Sequence, residues 1–125
     1  MGKRYLIDSN TLIEYIGKTL PEKGQSFVAS VIDEEFNISF INKIEVLSHP
    51  SAGQEITDFI NLAGVFDVTN TIIDKTIEIR KTYRTKLPDA LIAATAMIYD
   101  LTLISRNESD FNKIQGLQVL NPHSI

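Results

Sequence analysis

The feature that most constrains the fold of this chain is its alternation of short apolar, β-prone runs with longer segments of helical periodicity. Strands separated by helices in continuous alternation predict a mainly parallel sheet with helices on both faces. No linker, repeat or low-complexity segment interrupts this order, so we expect one α/β domain over residues 1–125. The predicted strands are Arg4–Ile7, Asn37–Ile41, Val65–Thr69, Leu101–Ser105 and Leu117–Pro122.

Helix boundaries are predicted from residue types that start or interrupt helices. Pro21–Gly24 is expected to be a connection that precedes the second helix. Asn42 is a capping residue type, and we expect it to open a helix that carries Glu45 in its first turn. Pro88 fits the first position of a later, almost wholly apolar helix, which places Asp89 at its positive end.

The composition restricts the chemistry that the chain can perform. It contains no cysteine, which excludes disulfides, thiolate metal sites and cysteine nucleophiles. Its net charge of −4 argues mildly against nucleic-acid binding, unless several acids hold divalent cations and so invert the local charge. Asp8 interrupts the first apolar run too early for a signal peptide, and no apolar stretch approaches the roughly 18 residues that span a bilayer. We therefore expect a cytoplasmic protein without a membrane segment.

Four acids share one position relative to the predicted sheet. Asp8 follows the first strand, Glu45 follows the second, and Asp110 follows the fourth. Asp89 joins them if its helix begins at the same edge. Ligands of open α/β sheets bind just outside the carboxyl ends of the strands, so the four side chains are expected to converge there.

Each acid also has an ordinary structural interpretation, as a turn residue, a helix cap or a complement to a helix dipole. These interpretations are independent of one another, and none of them predicts convergence. Carboxylates that converge repel one another unless a cation lies between them. A cluster of oxygen ligands without histidine or cysteine suits Mg²⁺ or Mn²⁺.

Four sequence blocks resemble the PIN domain family, and most closely the toxins of VapBC toxin–antitoxin pairs. The blocks are YLIDSNTLIEY, INKIEVL, KLPDALIAATA and LISRNESDFNKIQGLQVLNP. The resemblance implies a parallel sheet of four or five strands and a metal-dependent ribonuclease. It also implies a homodimer and inhibition by a cognate antitoxin protein.

The resemblance also implies roles for individual residues. Asp8, Glu45, Asp89 and Asp110 would form the acidic quartet that binds Mg²⁺ or Mn²⁺ and catalyses RNA hydrolysis, with Glu45 either a ligand or the group that orients the attacking water. Neighbouring groups would hold these carboxylates in place, namely Ser9, Ser105 and Asn107. The RNA backbone would be held by nearby cations, which we take to be Arg80, Arg84, Lys86 and Arg106, with Lys81 and Lys113 close by in the sequence. These cations can equally be solvated groups near a helix end.

Other interpretations remain open. A receiver-like signalling domain also binds Mg²⁺ at strand ends, but it needs an acidic pair after the first strand, where LIDSN offers one acid. A haloacid-dehalogenase-like phosphatase requires D-x-D, and here Asn10 occupies the second position. A catalytically idle PIN-like RNA-binding module is a third possibility, which the complete quartet disfavours. His49 and His123 lie outside the acidic blocks, and we interpret them as surface or turn residues.

Overall fold

The computed structural model describes residues 2–125, and within that range five short strands alternate with seven helices. The strands are β1 (Tyr5–Ile7), β2 (Asn37–Ser39), β3 (Gly64–Phe66), β4 (Thr102–Ile104) and β5 (Val119–Leu120). The helices are α1 (Ser9–Ile16), α2 (Glu22–Glu34), α3 (Phe40–Leu47), α4 (Gln54–Ile60), α5 (Asn70–Thr82), α6 (Leu87–Ile98) and α7 (Glu108–Phe111). The predicted α/β class is confirmed, and every predicted strand segment overlaps a strand, although β3 begins one residue earlier and ends three residues earlier than expected.

All strand pairs in the sheet are parallel. One ladder has the order β1-β4-β5, and a second joins β2 to β3. The two ladders meet where the Asn37 side chain, at the start of β2, donates from Nδ2 to the Tyr5 carbonyl of β1 at 3.3 Å. The five strands therefore divide into three plus two, with a side-chain amide at the junction.

The alternation of side chains along the strands creates a core on each face of the sheet. Leu6 and Leu103 point into a core that includes α5 and α6, while Ile7 and Ile104 point into a core formed with α1, α2 and α3. All four side chains are fully buried. The predicted cover of helices on both faces is confirmed.

Helix α6 lies in the first of these cores and presents small residues to it. Ala90, Ala93, Ala94 and Ala96 are fully buried, which allows the helix to pack closely. Only a short connection separates α6 from β4, so the helix runs back along the sheet and begins at the carboxyl edge of the strands. Asp89, in its first turn, therefore stands at that edge.

Two predicted boundaries are wrong. Helix α3 begins three residues earlier than expected, because Ser39 is its N-cap and Asn42 is the third helical residue of a capping box. Glu45 therefore lies in the second turn of α3, not the first. Gly24 lies inside α2, which begins at Glu22, instead of in the preceding connection. The absence of a side chain at Gly24 allows the helix to contact the C-terminal segment at Pro122. A Cβ at this position would lie 2.1 Å from the Pro122 carbonyl oxygen.

The helices of residues 2–125 are all too short or too polar to cross a membrane.

Candidate active site

Asp8 is held between the ends of the two central strands. It caps α1 and is nearly inaccessible to solvent. Its Oδ1 accepts from the Ser9 backbone N–H at 2.9 Å, and its Oδ2 accepts from the Ser105 hydroxyl at 2.7 Å. Its own backbone N–H donates to the Ile104 carbonyl at 3.0 Å, which continues the β1–β4 ladder. Both carboxylate oxygens are thus fixed by groups that belong to the strand ends.

The environment of Asp8 disfavours its charged form. Burial raises the pKa of this carboxyl from its ordinary value of 3.8 to about 6. The hydrogen bonds from Ser105 and Ser9 act in the opposite direction, and the charges of Asp89 and Glu45 raise the pKa further. Asp89 and Glu45, from two other helices, therefore lie within electrostatic reach of Asp8.

Asp89 and Asp110 complete the acidic cluster. Burial, followed by the charges of Asp110 and Glu45, raises the pKa of the Asp89 carboxyl, while Lys86 and Lys113 lower it. Asp110 is held on α7 by Asn107, whose Nδ2 donates to Oδ2 at 2.9 Å. The fold thus brings the four predicted carboxyl groups to one edge of the sheet, where the charges of Glu45, Asp89 and Asp110 each raise the pKa of at least one other carboxyl of the cluster.

Ser105 and Asn107 join the Asp8 and Asp110 parts of the cluster. The Ser105 hydroxyl donates to Asp8 and accepts from the Asn107 backbone N–H at 3.0 Å. The Asn107 side chain then reaches Asp110. One short segment after β4 therefore positions two acids that are 102 residues apart in the sequence.

Ser9 performs the corresponding task for Glu45. Its hydroxyl donates to Glu45 Oε1 at 2.7 Å and accepts from Asn42 Nδ2 at 3.0 Å. Asn42 is fully buried. The sequence predicts this residue only as a helix cap, and its contact with the site is not apparent from the residue pattern. The signal that could have found it is the capping pair Ser39–Asn42 directly after a strand, one helical turn before an acid.

The cluster fits a hard divalent cation in charge and donor type. Its ligand atoms would all be oxygens. Burial is the main cause of the raised pKa values of the Asp8 and Asp89 carboxyls, and the charges of neighbouring carboxylates add to it. A cation between the carboxylates would relieve that repulsion. Within residues 2–125, no three acidic, histidine or cysteine side chains lie close enough together to form a preformed metal-binding site. Glu45 is exposed apart from its hydrogen bond with Ser9.

The predicted cationic residues fall into different environments. Arg106 pairs with Glu14 at 3.1 Å, and Arg80 donates from Nε to the Thr85 carbonyl at 3.3 Å. Arg84 is exposed. Lys86 and Lys113 act on the charge of Asp89, and Lys113 also donates from Nζ to the Arg84 carbonyl.

The two histidines are exposed, as predicted. His49 contacts Ser51 at 2.7 Å, and His123 contacts Glu14 at 3.2 Å.

A separate groove of about 560 Å³ lies at the opposite edge of the sheet, where the strands begin. It is lined by Arg4, Tyr99, Asp100 and Thr102 among others, and by none of the four acids. Arg4 is engaged by Glu35 at 2.9 Å. The groove offers space without a cluster of reactive groups, so the acidic edge is the better candidate site.

Known proteins resemble this chain both in sequence and in structure. The family model described as PIN domain matches residues 5–117. A toxin–antitoxin complex from Klebsiella pneumoniae is similar in structure, with 28% sequence identity, a TM-score of 0.75, and coverage of 97% of this chain and 99% of that chain. No curated protein matches the chain.

Two further solved structures are similar at lower identity. DNA-bound VapBC from Salmonella typhimurium has 20% identity and a TM-score of 0.80, covering 97% of this chain and 99% of that chain. VapBC-1 from nontypeable Haemophilus influenzae has 22% identity and a TM-score of 0.76, covering 94% and 97%. At this identity the similarity establishes the fold alone.

The raised pKa of Asp8 predicts a pH-dependent cost to stability. Between its ordinary value of 3.8 and about 6, the folded state holds this proton more tightly than the unfolded state, so stability falls as pH rises through that window. We expect Asp8→Asn to be more stable than the wild type above pH 6. The expected difference in the free energy of unfolding is roughly 2–3 kcal/mol, because each pKa unit corresponds to about 1.4 kcal/mol. The difference should shrink as the pH approaches 4. Urea unfolding in EDTA across this range measures it.

Asn can occupy this position because its Oδ1 can accept from Ser9 while its Nδ2 donates to Ser105. The matched control is Asp33→Asn, which removes an exposed carboxyl group of α2 outside the acidic cluster and measures the effect of the substitution itself. If Asp8→Asn and the wild type differed in stability by the same amount at pH 4 and pH 7.5, the raised pKa would not belong to Asp8.

Proposed function

Because the chain belongs to the PIN domain family, we propose that it is a cytoplasmic, metal-dependent endoribonuclease and the toxin of a toxin–antitoxin pair. The observation that carries the nuclease proposal is the cluster of four carboxyl groups around the buried, hydrogen-bonded Asp8. The toxin proposal rests on the likeness to solved structures that are described as toxin–antitoxin complexes.

In this proposal Asp8, Asp89 and Asp110 hold Mg²⁺ or Mn²⁺, and Glu45 is either a further ligand or the group that orients water. The bound cation would supply Lewis-acid activation of the phosphodiester and of the attacking water. Because water is the nucleophile, the ribose 2′-hydroxyl takes no part in the reaction and no 2′,3′-cyclic phosphate forms. From the resemblance to the family we expect products that carry a 5′-phosphate.

The chain's own contribution is to fix the carboxylates. Ser105 and the Ser9 backbone hold Asp8, and Asn107 holds Asp110. Glu45 is held by one hydroxyl and is otherwise exposed, which suits a group that must accept or steer a proton from water. Such fixed supports keep the ligands within the narrow geometric tolerance that catalysis requires.

Among the cations, Lys86 and Lys113 are the best placed to contact an RNA backbone beside the cluster, because both act on Asp89. Arg84 lies next to them. Arg106 is occupied by Glu14, and Arg80 by a backbone carbonyl. We therefore assign phosphate binding first to the two lysines, with the arginines in supporting positions.

Membership of the PIN family sets the receiver-like interpretation aside. A catalytically idle PIN-like RNA-binding module is the remaining alternative. It would bind RNA with the same cations but would not cleave it, and the presence of all four acids favours the enzyme.

The first test of this proposal is RNA cleavage. The purified protein should cleave single-stranded RNA with Mg²⁺ or Mn²⁺ and stop when EDTA is added. Asp8→Asn, Asp89→Asn and Asp110→Asn should each remove most of the activity, and pairing two of them should cost little more, because groups that act as a unit are not additive. Gel analysis of labelled RNA measures both rate and product ends.

The control for this test is Asp33→Asn, which should cleave like the wild type. Cleavage that persists in EDTA, or products with 2′,3′-cyclic phosphate ends, would contradict the mechanism. RNA binding without cleavage under all metal conditions would favour the idle module.

The second test concerns the lysines. Lys86→Gln and Lys113→Gln should each weaken binding of single-stranded RNA and reduce the steepness of its salt dependence by about 0.7 in the log–log slope. Fluorescence anisotropy in EDTA measures this without cleavage. Glutamine keeps a donor group at position 113 while removing the positive charge. Lys3→Gln, at the opposite edge of the sheet, is the control. If the lysine variants show the wild-type salt slope, phosphate binding lies elsewhere.

The third test concerns the partner. An inhibitory antitoxin should place an arginine or lysine among the four carboxylates, where charge-assisted hydrogen bonds would compete with the metal. Co-expression with the protein encoded by the adjacent reading frame should give a co-purifying complex that does not cleave RNA. If the two proteins separate, or if the complex cleaves RNA at the free rate, the toxin–antitoxin proposal fails while the nuclease proposal stands. Size-exclusion chromatography of the free protein tests the expected homodimer in the same preparation.

A further inference from the structure

The hydrogen bonds around Asn42 have a fixed direction. The Ser39 backbone N–H lies 3.0 Å from Asn42 Oδ1, and a backbone N–H can only donate, so the atom that faces it must be the amide oxygen. The Ser39 hydroxyl donates to the same oxygen at 2.7 Å. The amide nitrogen is therefore directed away from Ser39 and toward Ser9.

This orientation determines the direction of the next bond. Asn42 Nδ2 donates to Ser9 Oγ at 3.0 Å, so the Ser9 oxygen is an acceptor on that side. Its single hydrogen is then free for Glu45 Oε1 at 2.7 Å. Asn42 and Ser9, which support Glu45, are buried, as is Ser39, so water competes little for these bonds.

Capping of α3 accounts for the hydrogen bonds of the Asn42 amide oxygen but not for that of its amide nitrogen. The reciprocal bond of a capping box needs an acceptor at the third helical position, and a glutamate or glutamine usually provides it. A glutamate there would accept from Ser39 but could not donate to Ser9. Asparagine supplies the acceptor for the helix and a donor for the site.

We infer that Asn42 is a positioning residue, which holds the Ser9 hydroxyl in the orientation that fixes Glu45 as a ligand of the metal. The inference rests on the proposed function. It assigns to the cap of α3 a second task in the active site, which it performs through Ser9 without contact with the substrate.

The test compares Mn²⁺ affinity, measured by calorimetry without RNA, in four proteins: wild type, Asn42→Leu, Ser9→Ala and the double variant. Leucine has nearly the shape of asparagine but neither its donor nor its acceptor. We expect Asn42→Leu to weaken Mn²⁺ binding by about 10–100-fold, the usual effect of removing a group that orients a ligand. In the Ser9→Ala background the same change should have little further effect, because the residue through which it acts is gone.

Ser39→Ala is the matched control for lost capping. It removes the two hydrogen bonds of the Ser39 hydroxyl but keeps the backbone N–H that orients the Asn42 amide. It should lower the melting temperature in EDTA without weakening Mn²⁺ binding. In cleavage assays Asn42→Leu should lower kcat and leave KM for RNA nearly unchanged. If Asn42→Leu fails to fold by circular dichroism, Asn42→Ser keeps a polar group beside Ser39 but lacks the nitrogen that reaches Ser9.

The outcomes separate the two proposals. The positioning role would be overturned, while the nuclease proposal stands, if the Asn42 variants bound Mn²⁺ as tightly as the wild type. It would also be overturned if Asn42→Leu weakened Mn²⁺ binding as much in the Ser9→Ala background as in the wild type. A loss in Ser39→Ala as large as in Asn42→Leu would reduce Asn42 to a helix cap. A wild-type protein that binds no Mn²⁺ and cleaves no RNA would overturn both proposals.

Discussion

The hydrogen bond from the Ser105 hydroxyl to Asp8 joins the ends of the two central strands, and the rest of the site depends on it. A buried carboxylate must regain from the protein the hydrogen bonds that it loses from water. Asp8 obtains them from Ser105 and from the first amide of α1, so β1, β4 and α1 must keep one relative position for the charge to be tolerated. The parallel β1–β4 ladder and the fully buried Ile7 and Ile104 beside it maintain that position.

The acidic cluster brings like charges close together, although most folds keep them apart. Burial and neighbouring charges raise the carboxyl pKa values of Asp8 and Asp89, which means that the free cluster costs stability. Sites of this kind are where strongly shifted pKa values concentrate in enzymes. The packed alanine face of α6 and the fully buried Phe111 of α7 lie behind Asp89 and Asp110 and hold their helices in place. The proposed cation would offset the repulsion that the fold imposes.

The site reuses residues that the fold needs for its own helix ends. Asp8 caps α1, and Ser39 with Asn42 caps α3. These capping residues lie at the carboxyl edge because parallel strands end there and the following helices begin there. Capping and positioning therefore require polar side chains at the same place, and one residue can serve both when it has a donor and an acceptor, as Asn42 has.

The sequence by itself determined the α/β class, the approximate positions of the five strands and the edge at which Asp8 and Asp110 stand. Local signals suffice for these, because apolar periodicity and capping residues mark where strands end and helices begin. The tertiary structure decided which polar groups meet across the chain. The choice between Asn42 and Ser39 as the cap of α3 depended on bonds that the residue types alone do not distinguish, and it moved Glu45 into the second helical turn. The pairing of Arg106 with Glu14 spans 92 positions and engages a cation that looked free in the sequence. Such contacts follow from the packing of α1, α3 and the segment after β4 against one another, and no pattern within any one of these segments encodes them.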